Sequence, residues 1–253
     1  MDEKSALKQL IESNEFAFSD FLSRKTEGLV FDKRTLDNIY NIFKQFDIKM
    51  MDFPISSGKE SVVFRVQGKK GLLVLKVFKT STLRFQRIGE YIDGDPRFAN
   101  QRKSRGSLVN LWVRKEYANL TQSKEVGVRV PEPFGVLNNL LLMKYIGTKS
   151  KSGLKLKDVE SSELEHYLLD AMEQYKRMVE KAKLVHSDLS EYNILCYRKK
   201  AYLIDMGQAV SCEHPMAKEF LKRDMNNILN FAKRNQVDIP ENLKPIMPGE
   251  SNE

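Results

Sequence analysis

The chain has 253 residues, 41% of them hydrophobic and 30% charged, which is typical of a soluble globular protein with one large domain or two smaller lobes. Its net charge of +8 is compatible with an anionic partner such as a nucleotide, RNA or an acidic protein surface. No apolar run approaches the roughly 20 residues of a membrane span, and no signal peptide is visible. Two cysteines are too few for a disulfide framework. We therefore expect a cytoplasmic protein with buried thiols and no membrane partner.

The first half of the chain predicts a helix, a hairpin, a loop and a second helix. Apolar residues at helical spacing predict a helix over residues 33–46, and a weaker pattern predicts an earlier one near 3–12. The segments SVVFRV and LLVLKVF predict two strands joined by a turn at GKKG. Residues 80–106 carry glycine, proline and many charges, which predicts a long flexible loop. From Ser107 a helix is predicted to run to about Lys124.

The second half predicts a strand pair, a polar linker and a mostly helical region. VRVPEPFGVLNNLLLMKYIG predicts two strands around an Asn138-Asn139 turn, and GTKSKSGLK follows as a linker. Residues 161–183 predict an amphipathic helix, with a capping box formed by Ser162 and Glu165. The strand AYLIDM and the helical segment HPMAKEFLKRDMNNILNFAKR follow.

These elements predict four regions in chain order. We expect an N-terminal helical segment (1–48), a β-rich lobe containing the flexible loop (49–146), a mostly helical lobe (147–240) and a disordered tail (241–253). A basic cluster, RFANQRKSR at 97–105, lies in the loop, where a solvated surface is the simpler interpretation.

Three polar residues near the middle of the second lobe carry a chemical pattern. Asn193 follows Asp188 by five positions, and Asp205 follows Asp188 by seventeen, at the end of an apolar strand and two positions before Gly207. This spacing matches a kinase catalytic loop and its metal-binding D-x-G. One carboxylate would lie near the attacking oxygen, and an amide oxygen with a second carboxylate would hold Mg²⁺. His186 fits a supporting role better than a ligand role, because Mg²⁺ prefers oxygen.

A lysine, a glutamate and a short loop complete the pattern. Lys76 interrupts the apolar strand LLVLKVF, so its amine has to reach solvent or find a partner, and Glu116 on the next helix is the natural partner. SSGKES at 56–61 fits neither a G-x-G-x-x-G loop nor a Walker A motif. It nevertheless offers hydroxyls, a glycine and a cation to a phosphate.

The motifs ISSGKES, LLVLKVF, LLLMKYIG, LVHSDLSEYNIL and LIDMGQAV, in this order, resemble the RIO family of atypical serine protein kinases, and most closely its type-one subgroup. The resemblance implies a two-lobed, protein-kinase-like α+β fold with a β-rich N-lobe and a reduced, mostly helical C-lobe. It also implies ATP and Mg²⁺ as cofactors, with Mn²⁺ as an alternative ion.

The resemblance assigns roles to the matching positions. Asp188 would be the catalytic base, and Asn193 and Asp205 would bind the metal, with Asp205 able to accept the γ-phosphate as a transient aspartyl-phosphate. Ser104 is the preferred autophosphorylation candidate over Ser107. The residues implied to contact the nucleotide, or to hold those that do, are Ser56, Ser57, Gly58, Lys59, Glu60, Ser61, Lys76, Glu116, Met143, Lys144 and Ile146.

The segment after Gly207 narrows the expected activity. It contains no A-P-E motif, and position 187 is Ser where ordinary protein kinases carry an arginine. We therefore expect a C-lobe that lacks the platform for peptide substrates, and an ATPase-like switch or a kinase of narrow substrate range.

Three functions stay open at this point. The first is a RIO-type kinase and ATPase, which the resemblance links to small-ribosomal-subunit maturation through pre-ribosomal RNA or protein, with no DNA partner. The second is a small-molecule phosphotransferase, a class that shares the H-x-D-x-x-x-x-N pattern. The third is a non-catalytic, nucleotide-gated assembly factor, which could dispense with Asp188.

Overall fold

The computed structural model describes residues 31–80, 85–98 and 105–249. Their contacts divide the chain into two compact units. The sheet unit comprises the described residues up to Thr80 together with Phe134–Tyr145, and the helical unit comprises residues 85–133 and those from Ile146 onward. Among the described residues, no helix is both long and apolar enough to cross a bilayer.

The sheet unit packs one helix against a five-stranded antiparallel sheet. Its helix begins after Asp32, whose carboxylate accepts a 2.7 Å hydrogen bond from the Thr35 amide, and it ends at Asp47 in a left-handed conformation. The strands lie in the order β1-β2-β3-β5-β4. The elements are α1 (Lys33–Phe46), β1 (Ile48–Ser57), β2 (Ser61–Gly68), β3 (Gly71–Phe78), β4 (Pro133–Leu137) and β5 (Leu140–Lys144).

The burial of these strands follows from their sequence. Alternate residues of β2 are buried, as expected of a strand with one face on the core. β3 lies at the centre of the sheet and is buried from Leu73 to Phe78, which places Lys76 within an apolar run. The core of the sheet unit joins Ile39 and Ile42 of α1 to β2, β3 and β5.

The helical unit combines four helices with short strands. β6 pairs with β8, β8 with β9, and β7 with β10, all antiparallel. The elements are α2 (Phe85–Ile92), α3 (Arg105–Glu125), β6 (Leu154–Lys155), α4 (Ser161–Glu180), β7 (Leu184–Val185), β8 (Ile194–Tyr197), β9 (Lys200–Leu203), β10 (Val210–Ser211) and α5 (Ala217–Arg234).

The structure confirms most of the predicted elements. The helix over 33–46, the hairpin at GKKG, the strand pair around Asn138, and the helices from 105 and 217 are all present. The predicted apolar stripe of α4 is buried from Leu164 to Val179. Cys196 is buried and Cys212 partly buried, both as free thiols. The N-terminal helix predicted near 3–12 lies outside the described residues.

The loop prediction for 80–106 was wrong over residues 85–98. This segment forms α2 and a 3-10 turn, with Tyr91, Ile92 and Phe98 buried. Tyr91 stacks on Phe220 with ring centroids 5.4 Å apart, so the apolar partner comes from a distant part of the chain. The rest of the segment up to residue 104 and residues 81–84 lie outside the described residues.

Two smaller predictions were also wrong. α4 begins at Ser161, two residues earlier than a capping box with Ser162 as N-cap requires, and its N-cap, Glu160, makes no side-chain capping bond. The tail predicted to be disordered over 241–253 contains a 3-10 turn at Glu241–Leu243, and Met247 is only 6% exposed. Residues 250–253 lie outside the described residues.

Candidate active site

The predicted catalytic loop lies between β7 and β8 of the helical unit and is held by its own asparagine. Asn193 Nδ2 donates to the Asp188 backbone oxygen at 2.9 Å and to Asp188 Oδ2 at 3.2 Å. Since the amide nitrogen of Asn193 is used in this way, its amide oxygen is left as an acceptor that can ligate a cation. The structure thus brings two of the predicted residues into direct contact.

A buried aspartate that the sequence analysis missed supports this loop from below. Asp224 of α5 accepts hydrogen bonds from Ser187 N at 2.8 Å, Leu189 N at 2.9 Å and the Tyr175 hydroxyl at 2.7 Å. These bonds fix the loop although Ser187 lies in the left-handed region, with φ of 66°. Burial raises the pKa of the Asp224 carboxyl. The sequence does carry a signal for this residue, because Asp224 lies four positions from each of the apolar residues Phe220 and Ile228 and therefore on the buried face of the helix.

Asp205 follows β9 on a sharp backbone turn beside the catalytic loop. Its φ of 60° is left-handed, and the 3-10 turn Met206–Gln208 begins directly after it. The Ile204 amide donates to Asn193 O at 3.0 Å, and His186 Nε2 lies 2.9 Å from Ile204 O, so this strand end is joined to the loop. His186 is fully buried, which agrees with the predicted supporting role.

The two carboxylates predicted to be catalytic, Asp188 and Asp205, interact electrostatically. The pKa of Asp188 is raised, first by burial and then by the negative charges of Asp205 and Asp224, while His186 opposes this shift. Asp205 itself is exposed. The negative charge of Asp205 beside Asp188 favours a cation nearby, because a cation relieves the repulsion between the two carboxylates.

Side chains from α3 hold the turn that follows Asp205. Lys115 Nζ donates to Gly207 O at 3.0 Å and also to Ala209 O, and Asn119 Nδ2 donates to Met206 O and Ala209 O at 2.7 and 2.8 Å. Trp112 lies so close to Gly207 that a Cβ there would be 3.2 Å from the indole Nε1. We call Lys115 and Asn119 the α3 clamp. It was not predicted, because its partners lie about 90 positions away along the chain.

Arg97 supports the α3 clamp and does not belong to an unpaired basic surface. It forms an ion pair with the buried Asp95 at 2.7 Å and donates to Asn119 Oδ1 at 2.8 Å, which orients the Asn119 amide toward the turn. Arg97 is the first residue of the basic cluster at 97–105, and its charge is therefore compensated within the fold.

In the sheet unit, the predicted phosphate loop is a tight hairpin between β1 and β2. Gly58 N donates to Ser61 O at 2.9 Å, and Lys79 supports the loop through Nζ to Gly58 O at 2.8 Å and N to Glu60 O at 2.8 Å. The hairpin unites all six predicted residues: Ser56, Ser57, Gly58, Lys59, Glu60 and Ser61.

The other predicted nucleotide residues are distributed over both units. Lys76 of β3 is 6% exposed, and its Nζ lies 4.9 Å above the Phe78 ring. Met143 and Lys144 end β5, whereas Glu116 on α3 and Ile146 belong to the helical unit and are buried. The ion pair of Lys76 with Glu116 stays a prediction. Ser104 lies outside the described residues, and Ser107 falls in the first turn of α3.

The donor set fits magnesium better than a transition metal. Within the described residues no group of three or more His, Cys, Asp and Glu side chains could hold a metal ion. Asn193 and Asp205 instead offer an amide oxygen and a carboxylate, the hard ligands of a cation that takes its remaining ligands from phosphate and water.

Comparisons with known proteins identify chains that are similar in sequence. The RIO domain family model matches residues 62–244. The chain is 37% identical over 231 residues to the RIO-type serine/threonine-protein kinase Rio1 of Haloferax volcanii, covering 90% of this chain and 79% of that protein. It is 45% identical over 178 residues to the protein of the same name from Thermoplasma acidophilum, covering 70% and 93%.

Solved structures show the same fold. The crystal structure of the Rio2 kinase from Chaetomium thermophilum matches with a TM-score of 0.61 and 21% identity, over 94% of this chain and 73% of that one. The structure of its ADP/Mg²⁺-phosphoaspartate complex matches with a TM-score of 0.60 and 21% identity, over 84% and 66%. The predicted two-lobed, kinase-like α+β fold is therefore confirmed.

Proposed function

This chain belongs to the RIO family and is a serine/threonine protein kinase, and we propose from that premise that it works as a magnesium-dependent ATPase as well as a kinase. The observation that carries the proposal is the contact of Asn193 with Asp188, together with the electrostatic interaction of Asp188 and Asp205. A base, an amide oxygen and a second carboxylate on two adjoining turns are the parts that phosphoryl transfer requires.

The residues of each unit have separate tasks in this proposal. In the sheet unit, the 56–61 hairpin covers the phosphates and Lys76 neutralises charge on the α- and β-phosphates. Lys144 and Ile146 present backbone groups to adenine, with Met143 behind them. In the helical unit, Glu116 holds Lys76.

Asn193 and Asp205 would hold Mg²⁺, which would neutralise negative charge on the phosphates. Asp188 accepts a proton from the attacking oxygen.

The transfer has two stages when Asp205 is the first acceptor. A carboxylate oxygen of Asp205 forms a bond to the γ-phosphorus as the bond to the ADP oxygen breaks. Water then attacks this phosphorus and loses a proton to Asp188, which restores the Asp205 carboxylate and releases phosphate. The exposure and the left-handed backbone of Asp205 support this role, because they present its carboxylate outside the packed core. Ser104 is the alternative acceptor within the chain.

The proposed macromolecular partner is a pre-ribosomal small subunit. The net charge of +8 suits contact with the RNA or proteins of a pre-ribosomal small subunit, as does the family resemblance. Since Arg97 is already paired with Asp95, we assign this contact to other cations of the chain. We further propose that the protein acts in the cytoplasm.

The proposal is tested with γ-labelled ATP and Mg²⁺. Wild type, Asp188→Ala and Asp205→Ala are compared for free phosphate and for protein-bound label. We expect wild type to release phosphate and to carry label with the alkaline lability of an acyl phosphate. Asp205→Ala should lose that label, and Asp188→Ala should release phosphate at least about 100-fold more slowly.

Two other outcomes point to the remaining functions. Label that passes to a small alcohol or sugar, but not to protein or water, would identify a small-molecule phosphotransferase. The complete absence of turnover at high enzyme concentration, with nucleotide still bound, would contradict the enzymatic proposal and favour a nucleotide-gated assembly factor.

A further inference from the structure

Gln208 makes a hydrogen bond to the catalytic carboxylate that the sequence motifs do not assign. Its Nε2 donates to Asp188 Oδ2 at 3.1 Å, across 20 positions of sequence. Asn193 Nδ2 donates to the same oxygen at 3.2 Å. Oδ2 therefore accepts two neutral amide donors, while no described residue of the helical unit donates to Oδ1. The two oxygens of one carboxylate are thus in different environments.

This difference matters for proton transfer. An oxygen whose lone pairs already accept two N–H groups is a poor position for a further proton, whereas the other oxygen keeps its lone pairs available. The amide donors also prevent rotation of the carboxylate about its Cβ–Cγ bond, since rotation would break both bonds. A base that has to meet an acceptor hydroxyl at hydrogen-bond distance gains from such fixation, because misplacement by about 1 Å can cost about 100-fold in rate.

The backbone on both sides of Gln208 is itself fixed. The α3 clamp donates hydrogen bonds to the carbonyl oxygens of Met206, Gly207 and Ala209. Three of the four carbonyls from Met206 to Ala209 are therefore held by buried side chains. Trp112 closes the space beside Gly207. Gln208 is partly buried at the end of this turn. A side chain on so constrained a backbone has few orientations open to it.

We propose that Gln208 is a positioning residue for phosphoryl transfer, which holds Asp188 by Oδ2 so that Oδ1 receives the proton of the acceptor. The inference rests on the proposed function and adds a residue to it. As the acceptor oxygen bonds to phosphorus, its proton moves to Asp188 Oδ1 and the electron pair of the breaking P–O bond leaves with the departing oxygen. Gln208 exchanges no proton and acts only through Asp188.

The test compares an apolar and an acidic variant of Gln208. Gln208→Leu removes the donor, and Gln208→Glu replaces it with a carboxylate that repels Asp188. ATP hydrolysis gives kcat and KM, and thermal unfolding reports the fold. We expect both variants to lower kcat by about tenfold or more, with KM for ATP changed by less than about threefold and an unchanged Tm. Gln67, an exposed glutamine of β2, provides matched controls: Gln67→Leu and Gln67→Glu should keep the wild-type kcat.

A double-variant cycle separates positioning from a general structural effect. If Gln208 acts through Asp188, Gln208→Leu should not slow the residual hydrolysis of Asp188→Ala any further. An equal loss in both backgrounds would overturn the inference, as would a kcat of Gln208→Leu within about twofold of wild type. Where Asp188→Ala has no measurable residual rate, the kcat and KM comparison decides alone. Failure of wild type to hydrolyse ATP would instead overturn the proposed function, and this inference with it.

Discussion

At the scale of single residues, buried polar groups fix the shape of the catalytic loop. Asp224 accepts three hydrogen bonds in a position where the carboxylate is removed from solvent. Two of the donors are backbone amides of the loop itself, at Ser187 and Leu189. Such donors would be left unsatisfied in the interior without this acceptor, which is costly.

The first prediction concerns Asp224→Asn. The new amide nitrogen would face a backbone N–H, because both carboxylate oxygens of Asp224 accept from the loop. We expect the free energy of unfolding to fall by about 1–3 kcal/mol, measured by urea unfolding at pH 7. Tyr175→Phe removes only one donor to the same carboxylate and should cost less, about 1 kcal/mol. A larger loss for Tyr175→Phe than for Asp224→Asn would contradict this account.

The second prediction uses the buried amine of the α3 clamp. Burial lowers the pKa of Lys115 to about 7, although the charge of Asp95 opposes the shift. The unfolded chain then binds more protons than the folded one between about pH 7 and the ordinary value of 10.5. The stability of the folded protein should therefore rise with pH across this window, as far as Lys115 determines it.

Lys115→Met tests this pH dependence. A neutral amine still has two N–H bonds for Gly207 O and Ala209 O, so wild type keeps its contacts as the charge is lost. We expect the variant to become more destabilised, relative to wild type, by up to about 1.4 kcal/mol per pH unit as pH rises from 7 to 10. Urea unfolding at three pH values measures it. The exposed Lys181→Met serves as control, and a difference from wild type that stays constant with pH for Lys115→Met would refute the prediction.

At the scale of elements, secondary structure could be predicted where the hydrophobic pattern repeats within a few residues. The stripe of α4 and the alternation of β2 repeat within a few residues, so they could be predicted. α2 has only eight residues, and the aromatic ring that covers Tyr91 belongs to α5. The motif residues Asp188, Asn193 and Asp205 were found by their spacing, whereas Asp224, Lys115 and Gln208 act through partners that spacing does not reveal.

The third prediction concerns the turn after α2. Gly94 has φ of +91°, and a Cβ there would lie 2.8 Å from Pro215 Cδ. Gly94→Ala should therefore destabilise the contact of α2 with the segment before α5, by about 1–3 kcal/mol. Gly89 inside α2 is the matched control, because a Cβ there would lie 3.5 Å from Asp93 Oδ2, an ordinary contact distance. Alanine at this position should stabilise the helix by about 1 kcal/mol.

Protease cleavage within residues 85–98 and urea unfolding measure both variants. We expect faster cleavage for Gly94→Ala and slower cleavage for Gly89→Ala. Equal behaviour of the two alanine variants would show that this turn carries no strain and that the contact with Pro215 is loose.

At the scale of the whole molecule, the short connection after Gly207 is the feature that bears on which acceptors the protein can use. The chain passes through the turn and β10 and enters α5 at Ala217. Ordinary protein kinases use the corresponding region for an activation loop and a peptide platform. The fold could be inferred from motif order, but the physiological acceptor could not, because no motif encodes the surface that would recognise it.

The fourth prediction follows from this connection. Serine-containing peptides, offered with Mg²⁺ and labelled ATP, should be phosphorylated at least about tenfold more slowly than the protein labels itself or hydrolyses ATP, since the described residues between Gly207 and α5 leave little room for a peptide platform. Label in peptide, protein and free phosphate is measured in one reaction, with Asp188→Ala as the control that should lose transfer to peptide and water. Peptide labelling as fast as self-labelling would contradict it.

The packing of Trp112 against Gly207 has a spectroscopic consequence. Trp112 is the one tryptophan of the 253 residues, and its ring also meets Tyr91 of α2 edge-on at 6.0 Å. The tryptophan emission of the unmodified protein therefore comes from a single buried side chain that touches both the turn after Asp205 and α2. Its wavelength and quenching report on the polarity at that turn, so the catalytic cycle can be followed in real time without an attached dye.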